Sequence, residues 1–520
     1  MMKKNKKLLF YLISIILIAL LFYTFECYFA PDSAWYYYMS LMFDKTASFK
    51  DWLTIRGFVY PLYLFIITII FGRTIFGVTT ALFIPYILFV IISIILIHKI
   101  CKKKSILIYV LYAFLIILNP IIMGYSHCVL TESIAILLVL ISVCISYQYY
   151  FINKNTNNIE KIIYILINAL LITISWFLKQ PYMLIIFCTI LISSVLKTII
   201  KERLFNILYG LITFIVSGIL LFSTLLVWNS ILEKNKLNNT TEKYMSSALM
   251  DGIKNYYKQD EINECTKKYV NKLNVRKEQK DEIIKNKCDD IIVYEVYNIE
   301  NEEISKEVLF YEDKVSTTDS LLFMIKQFFK HPIIVVKNIY NNYMATINLH
   351  STEYIDGILT VGSKLANNEN ENESLAKFVI TTHKNYWWQF YGGSYDSLKE
   401  EYKYIPQMKQ FENKTEIPKV ISKTYNIMYK PSSILFKILL LITPIEFIYY
   451  FIKFIKNKNE TKNILFMIAF GSSFIHILFH AVTGATIDRY AYICYPTVLI
   501  MFIIQMCLFF EKIRHSNKKG

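Results

Sequence analysis

The nine cysteines of this 520-residue chain form no CxxC pair and no zinc-ligand spacing. A thiolate metal centre and a paired-thiol redox site are therefore excluded as its main chemistry. Cys27, Cys144, Cys188 and Cys507 lie inside apolar runs, where a free thiol acts as a small hydrophobe. Cys265 and Cys288 fall in the one large polar region, and whether they pair is open. There is no internal repeat. No small-residue cleavage site follows the first apolar run, so that run reads as a retained anchor rather than a signal peptide. The low Ala and Gly content, beside abundant Ile, Lys, Asn and Tyr, looks like coding bias and carries no mechanism. A basic groove is missing too, despite 56 Lys and Arg against 40 Asp and Glu. The clustered cations sit in short loops between apolar runs, which is a signature of membrane topology and argues against a nucleic-acid partner.

What is present is hydrocarbon. Hydrophobic residues make up 55% of the chain, and the mean hydropathy is +0.39, so the expected surrounding is a lipid bilayer. Lys3, Lys4, Lys6 and Lys7 precede the apolar run Leu8 to Phe29, which places the amino end in the cytoplasm. Phe58 to Phe71 is apolar but short, and Ile75 to Ile97 follows at once. If both crossed, the basic run from His98 to Lys104 would lie outside, so Phe58 to Phe71 is read as interfacial. The remaining spans are Ser105 to Leu118, Cys128 to Phe151, Ile162 to Leu178, Tyr182 to Leu196, Leu204 to Trp228, Ser432 to Ile452, Ile464 to His480 and Tyr490 to Phe510. The expected protein is an all-α polytopic membrane protein of about ten transmembrane helices, with both termini cytoplasmic and every inner loop positive.

Three units follow. Residues 1–230 form an amino-terminal transmembrane module whose first outer loop is 30–74. Residues 231–430 form a mostly helical extracytoplasmic domain, too long for a bare connection. Helical spacing in Leu321 to Phe329 and Ile333 to Ile347, with a helix start at His331-Pro332, places its last part along the membrane. Residues 431–520 form the carboxy-terminal transmembrane module.

In this arrangement Asp32, Arg56, His127, Glu132, Lys179, His480, Asp488 and Arg489 all fall at the outer rim of the membrane. Ionisable groups there are costly and default to functional hypotheses. Asp32 can take a proton from an acceptor hydroxyl; equally, Asp32 or Ser33 can cap a helix over Ala34 to Phe43. Arg56, Lys179 and Arg489 can bind a phosphate and stabilise its charge as it leaves, or merely snorkel to the headgroups. Glu132 is either an acid in a helix's first turns or a second site carboxylate. With Asp32 and His127 it could hold a divalent cation, although no ligand spacing demands one. His476 and His480, four apart, are a metal pair or a hydrogen-bonding pair within the bundle. Tyr36 to Tyr38 and Trp387-Trp388 can stack on sugar faces or belong to the interfacial aromatic belt.

Four stretches carry a family likeness: Asp32-Ser33 followed by aromatics, the run Arg56-Gly57-Phe58-Val59-Tyr60-Pro61, Leu130-Thr131-Glu132, and Arg489-Tyr490 with Tyr495-Pro496. Their order and sidedness resemble the GT-C superfamily of glycosyltransferases that use polyprenyl-phosphate sugars. The branch they are most similar to comprises the protein mannosyltransferases and aminoarabinose transferases. The likeness covers the chain up to Lys179 and again from His480, and leaves 231–430 uncovered. It implies inverting transfer from a polyprenyl-phosphate sugar to an extracytoplasmic acceptor in the cell envelope. Asp32 would then be the base and Glu132 a second catalytic carboxylate. By position Arg489 matches the family's basic residue near the carrier phosphate; on the charge pattern above Arg56 and Lys179 are expected to join it, and Tyr36, Tyr60, His127 and Tyr490 are the expected substrate contacts. Many members carry Asp-Glu where this chain has Asp32-Ser33, which leaves the metal requirement open. Competing readings are a flippase or transporter for lipid-linked oligosaccharides and a polysaccharide polymerase or ligase. Transporters place polar groups or broken helices at mid-membrane, whereas these span centres are nearly free of charge. Acceptor recognition is the role expected of 231–430.

Overall fold

A computed structural model describes residues 14–25, 27, 31–45, 48–52, 56–73, 75–101, 106–152, 158–201, 205–237, 325, 328–349, 419–457, 460–483 and 488–516. Most of the expected extracytoplasmic domain, including Cys265, Cys288 and Trp387-Trp388, lies outside these residues. The described part is about 89% helical and contains no strand. It is an all-α polytopic membrane protein. Among the described residues seven helices are long and apolar enough to cross a bilayer, or eight if one bent pair counts as a single span.

After the helical residues 14–22 come α1 (Pro31–Leu41), α2 (Val59–Phe71) and α3 (Ile75–Ile100). Then follow α4 (Ile106–Tyr112), α5 (Pro120–His127), α6 (Glu132–Ile152), α7 (Asn158–Leu178), α8 (Gln180–Lys201) and α9 (Phe205–Lys234). The last are α10 (Pro332–Thr346), α11 (Lys419–Lys456), α12 (Thr461–Thr483), α13 (Asp488–Tyr492) and α14 (Tyr495–Ser516). Each long run is predominantly apolar, with few internal charges such as Lys437 and Glu446 of α11, so in lipid only a helix can satisfy its backbone. Helix α2 has 13 residues, about 20 Å of rise against a hydrocarbon core of about 30 Å. Its length suits the interfacial reading. It ends at Gly72, whose φ of 92° is open to glycine and strained for other residues. Beyond it Arg73 pairs with Asp44.

Two expectations need adjustment. Ser105 to Leu118 is not a straight span: α4 runs into a π-helical turn, Ala113–Ile117, and then bends by 47° into α5. Asn119 makes the bend. Its Oδ1 accepts from the N–H groups of Ile121 and Ile122, and its Nδ2 donates to the Leu115 carbonyl and the Tyr495 hydroxyl. Asn at the cap with Pro120 at the first helical position is a strong helix start. Likewise α1 starts at Pro31 rather than Ala34, so Asp32 lies inside the first turn rather than ahead of it.

Helix α12 is the bundle's axis and α9 its rim: 78% of the apolar window of α12 is buried, against 17% for α9. Helix α12 packs against α6, α8, α10, α11 and α14. Ile215, Ile219, Phe222 and Val227 of α9 point outward, as expected of a face meant for lipid rather than water.

A candidate site at one end of the bundle

Glu132 opens α6, directly after Thr131, and its side chain is fully buried. A carboxylate in that position is favoured by the exposed N–H groups of a helix start. Burial nevertheless demands further partners, and the fold supplies them from distant parts of the chain. The Tyr182 hydroxyl, in the first turn of α8, donates to Oε1 at 2.7 Å. The Thr131 hydroxyl lies 3.3 Å from Oε2 and 3.4 Å from the Tyr182 hydroxyl. Two cations then converge on Oε1: Lys179 Nζ from the link between α7 and α8, and Arg489 Nε from α13, each at 3.8 Å. All of these positions are helix ends. The starts of α6 and α8, the end of α7 and the short α13 therefore meet at one end of the bundle.

Aromatic faces line the same end. Lys179 Nζ lies 4.8 Å from the ring centroid of Tyr490 and 5.6 Å from that of Tyr182, distances at which a ring's negative face attracts a cation. The Tyr490 ring is stacked on His480 at 4.2 Å, with 4° between the planes. His480 and His476, in the last turns of α12, are 4.6 Å apart and both buried. Tyr492, two residues beyond Tyr490, stacks on Tyr125 at 3.9 Å and fixes α13 against α5.

The first loop joins this end through Arg56-Gly57. A Cβ on Gly57 would clash with the Phe177 carbonyl, so the two backbones touch there, two residues from Lys179. Only glycine permits that approach. Trp52 stacks on Phe49 at 5.1 Å and meets the edge of Trp228 at 5.1 Å, while Phe58 packs 4.8 Å from both Phe177 and Trp228. Aromatic pairs of this kind contribute about 0.5–1.5 kcal/mol each beyond their area. The Trp52 indole N–H also donates to the Arg56 carbonyl at 3.3 Å. Arg56 Nη1 donates to the Tyr36 hydroxyl at 3.3 Å, with its guanidinium 5.5 Å from the Tyr36 ring. Tyr36 meets Tyr60 edge to face at 5.0 Å. Tyr60 is within electrostatic reach of Glu132, and its buried hydroxyl has no hydrogen-bond partner among the described residues. On α1, burial pushes the Tyr37 hydroxyl up to about 12 against a partial offset from Arg73.

Of the residues expected at the site, Glu132, Lys179, Arg489 and Tyr490 come together directly. Arg56, Tyr36 and Tyr60 form an adjoining group. His127 does something else. Its Nδ1 lies 2.8 Å from the Met123 carbonyl and its Nε2 2.9 Å from the Phe22 carbonyl, and its ring stacks on Phe22. It ties α5 to the helical residues 14–22. Asp32 is placed by its backbone alone, and its side chain lies outside the described residues. Asp488 is buried at the start of α13. No group of three or more His, Cys, Asp or Glu able to hold a metal ion occurs among the described residues. The sequence marks Thr131 only as part of the Leu130-Thr131-Glu132 stretch and Tyr182 only as the start of a span, neither as a site residue. The signal for Tyr182 is its position one turn into the helix that begins just after Lys179. Comparison with protein-family models, with curated proteins and with solved structures finds no match for this chain.

Proposed function

We propose that the protein is a membrane glycosyltransferase that moves a sugar from a polyprenyl-phosphate carrier to an acceptor on the extracytoplasmic side. The observation that carries this reading is the convergence of Lys179 and Arg489 on one oxygen of the buried Glu132, beside the rings of Tyr182 and Tyr490. Such a cation pair, held in a dry setting by a carboxylate, suits a phosphate whose negative charge grows as it leaves.

Sidedness supports it. Helix α8 starts at the site and ends at Lys197 and Lys201. Helix α11 ends at Lys453 and Lys456, next to the start of α12, whose far end is at the site. The basic ends therefore lie opposite the site, and positive charge marks the cytoplasmic side. On this reading ten crossings put both termini on the cytoplasmic side of a cell membrane. The ten are the seven long helices, the bent pair, α6 and the first apolar run.

In the proposed reaction an acceptor hydroxyl attacks the anomeric carbon from the face opposite the phosphate. The new carbon–oxygen bond forms as the bond to the phosphate oxygen breaks, inverting the centre. The hydroxyl proton passes to Asp32 and the electron pair leaves with the phosphate, toward Lys179 and Arg489. Glu132 keeps the two cations in place, and Arg56, Tyr36 and Tyr60 hold the first loop against them. The decisive experiment is transfer from a panel of polyprenyl-phosphate sugars by the purified protein, wild type beside Asp32→Asn. Product with the wild type and a loss of roughly two to four orders of magnitude in the variant is the expected result. Transfer that survives in Asp32→Asn returns Asp32 to a helix-start role. No transfer from any donor by folded protein overturns the enzyme and favours a transporter.

A further inference from the structure

Two buried histidines of α12 are not used by the reaction described above. His476 and His480 are 0% and 2% exposed; His476 is within hydrogen-bond reach of the Tyr490 backbone, whereas neither ring nitrogen of His480 meets a hydrogen-bond partner among the described residues. Buried polar atoms are satisfied in the great majority of cases, so the two orphan nitrogens of His480 call for an occupant. The setting restricts its chemistry. His480 lies flat on Tyr490, whose ring also carries Lys179 Nζ at 4.8 Å, and Lys179 is within electrostatic reach of His480. Beyond it lies Arg489, on Glu132. A metal cation entering beside an ammonium and a guanidinium would be repelled. An anion with hydrogen-bond-accepting oxygens is attracted by both, and a neutral imidazole still offers it one N–H donor.

We infer that His480 is a donor of the anion site, giving an N–H hydrogen bond to a phosphate oxygen of the carrier beside Lys179 and Arg489. His476, 4.6 Å away and edge to face, is the positioning residue that keeps the His480 ring parallel to Tyr490. The inference rests on the proposed reading of the site as one for a polyprenyl phosphate, and it adds a residue to which that reading gave no role.

The test uses the full chain in lipid nanodiscs and two probes, a short-chain prenyl monophosphate and the corresponding uncharged prenol, titrated by calorimetry. Wild type, His480→Gln and His480→Leu are compared. Glutamine keeps an N–H donor at about the same reach, whereas leucine fills the space without one. A hydrogen bond to a charged group supports about a tenfold or greater effect on affinity. The expected result is that His480→Leu weakens the monophosphate about tenfold, leaves the prenol unchanged, and is largely rescued by His480→Gln. Equal losses for both probes would show that His480 only shapes the cavity, and unchanged monophosphate affinity in His480→Leu would show that it makes no contact; either overturns the inference while the proposed function stands. A folded wild type that binds neither probe overturns both together. Should His480→Leu fail to fold, His480→Gln beside His480→Asn gives the same contrast, since the shorter amide cannot reach.

Discussion

Glu132 and Glu446 both sit in apolar helices of this protein, and their surroundings differ in kind. Glu132 is fully buried at a helix start, and its four partners come from three separate segments: Thr131, Lys179 with Tyr182, and Arg489. Glu446 is half-buried in the body of α11 and accepts from Gln505 Nε2 of α14 at 2.9 Å. That amide also reaches the Tyr450 hydroxyl at 3.0 Å, one turn along α11, and Lys453 lies 4.3 Å from the Tyr449 ring. The second arrangement is a clasp between two neighbouring helices. The first spends two cations and several chain ends on one carboxylate, far more than holding helices together requires. Buried ionic groups rarely add net stability, which is why the proposed function is built on this assembly and not on the Glu446 clasp.

The largest expected effect separates the two directly. Glu132→Ala leaves Lys179 and Arg489 beside an empty space, which costs about 3–5 kcal/mol for a broken buried pair. Glu446→Ala should cost well under half of that. Thermal unfolding of both variants in the same detergent checks this, and equal losses would break the comparison. Next comes Tyr182→Phe, which removes a hydrogen bond to a charged acceptor and should cost about 1.5–3 kcal/mol. If its melting temperature matches wild type, the Glu132 network is looser than described. Gly57→Ala follows, with a Cβ that must displace the Phe177 carbonyl, at about 1–3 kcal/mol of strain. Its loss should be accompanied by faster proteolysis of the first loop. Smallest is Glu446→Gln, which still accepts from Gln505 and should fall within about 0.5–1.5 kcal/mol of wild type in the same melt.

The helical class and most of the spans were legible because a run of about twenty apolar residues in lipid has no other solution. The meeting of Glu132, Lys179 and Arg489 at one end was legible too, since alternating crossings bring alternate helix ends to the same side. Individual partners were not. That Tyr182 rather than another tyrosine reaches Glu132 depends on how α6 and α8 rotate against each other, which hydropathy does not encode. The stop at Asn119-Pro120 was visible as the end of the span Ser105 to Leu118. That the next piece was a separate short helix, ending at His127, was hidden because Pro120 to Phe151 is apolar almost throughout. The alternative to a base, in which Asp32 or Ser33 caps a helix over Ala34 to Phe43, misplaces the helix start, because Pro31 already takes the first helical position, which suits its fixed φ.

The backbone contact between Gly57 and Phe177 has a mechanical consequence. Lys179 follows Phe177 by two residues, and Arg56 precedes Gly57 while gripping Tyr36. The first loop and the Lys179 corner are therefore one block rather than two jaws. Displacing Arg56-Gly57 would have to carry the Lys179 corner along with it.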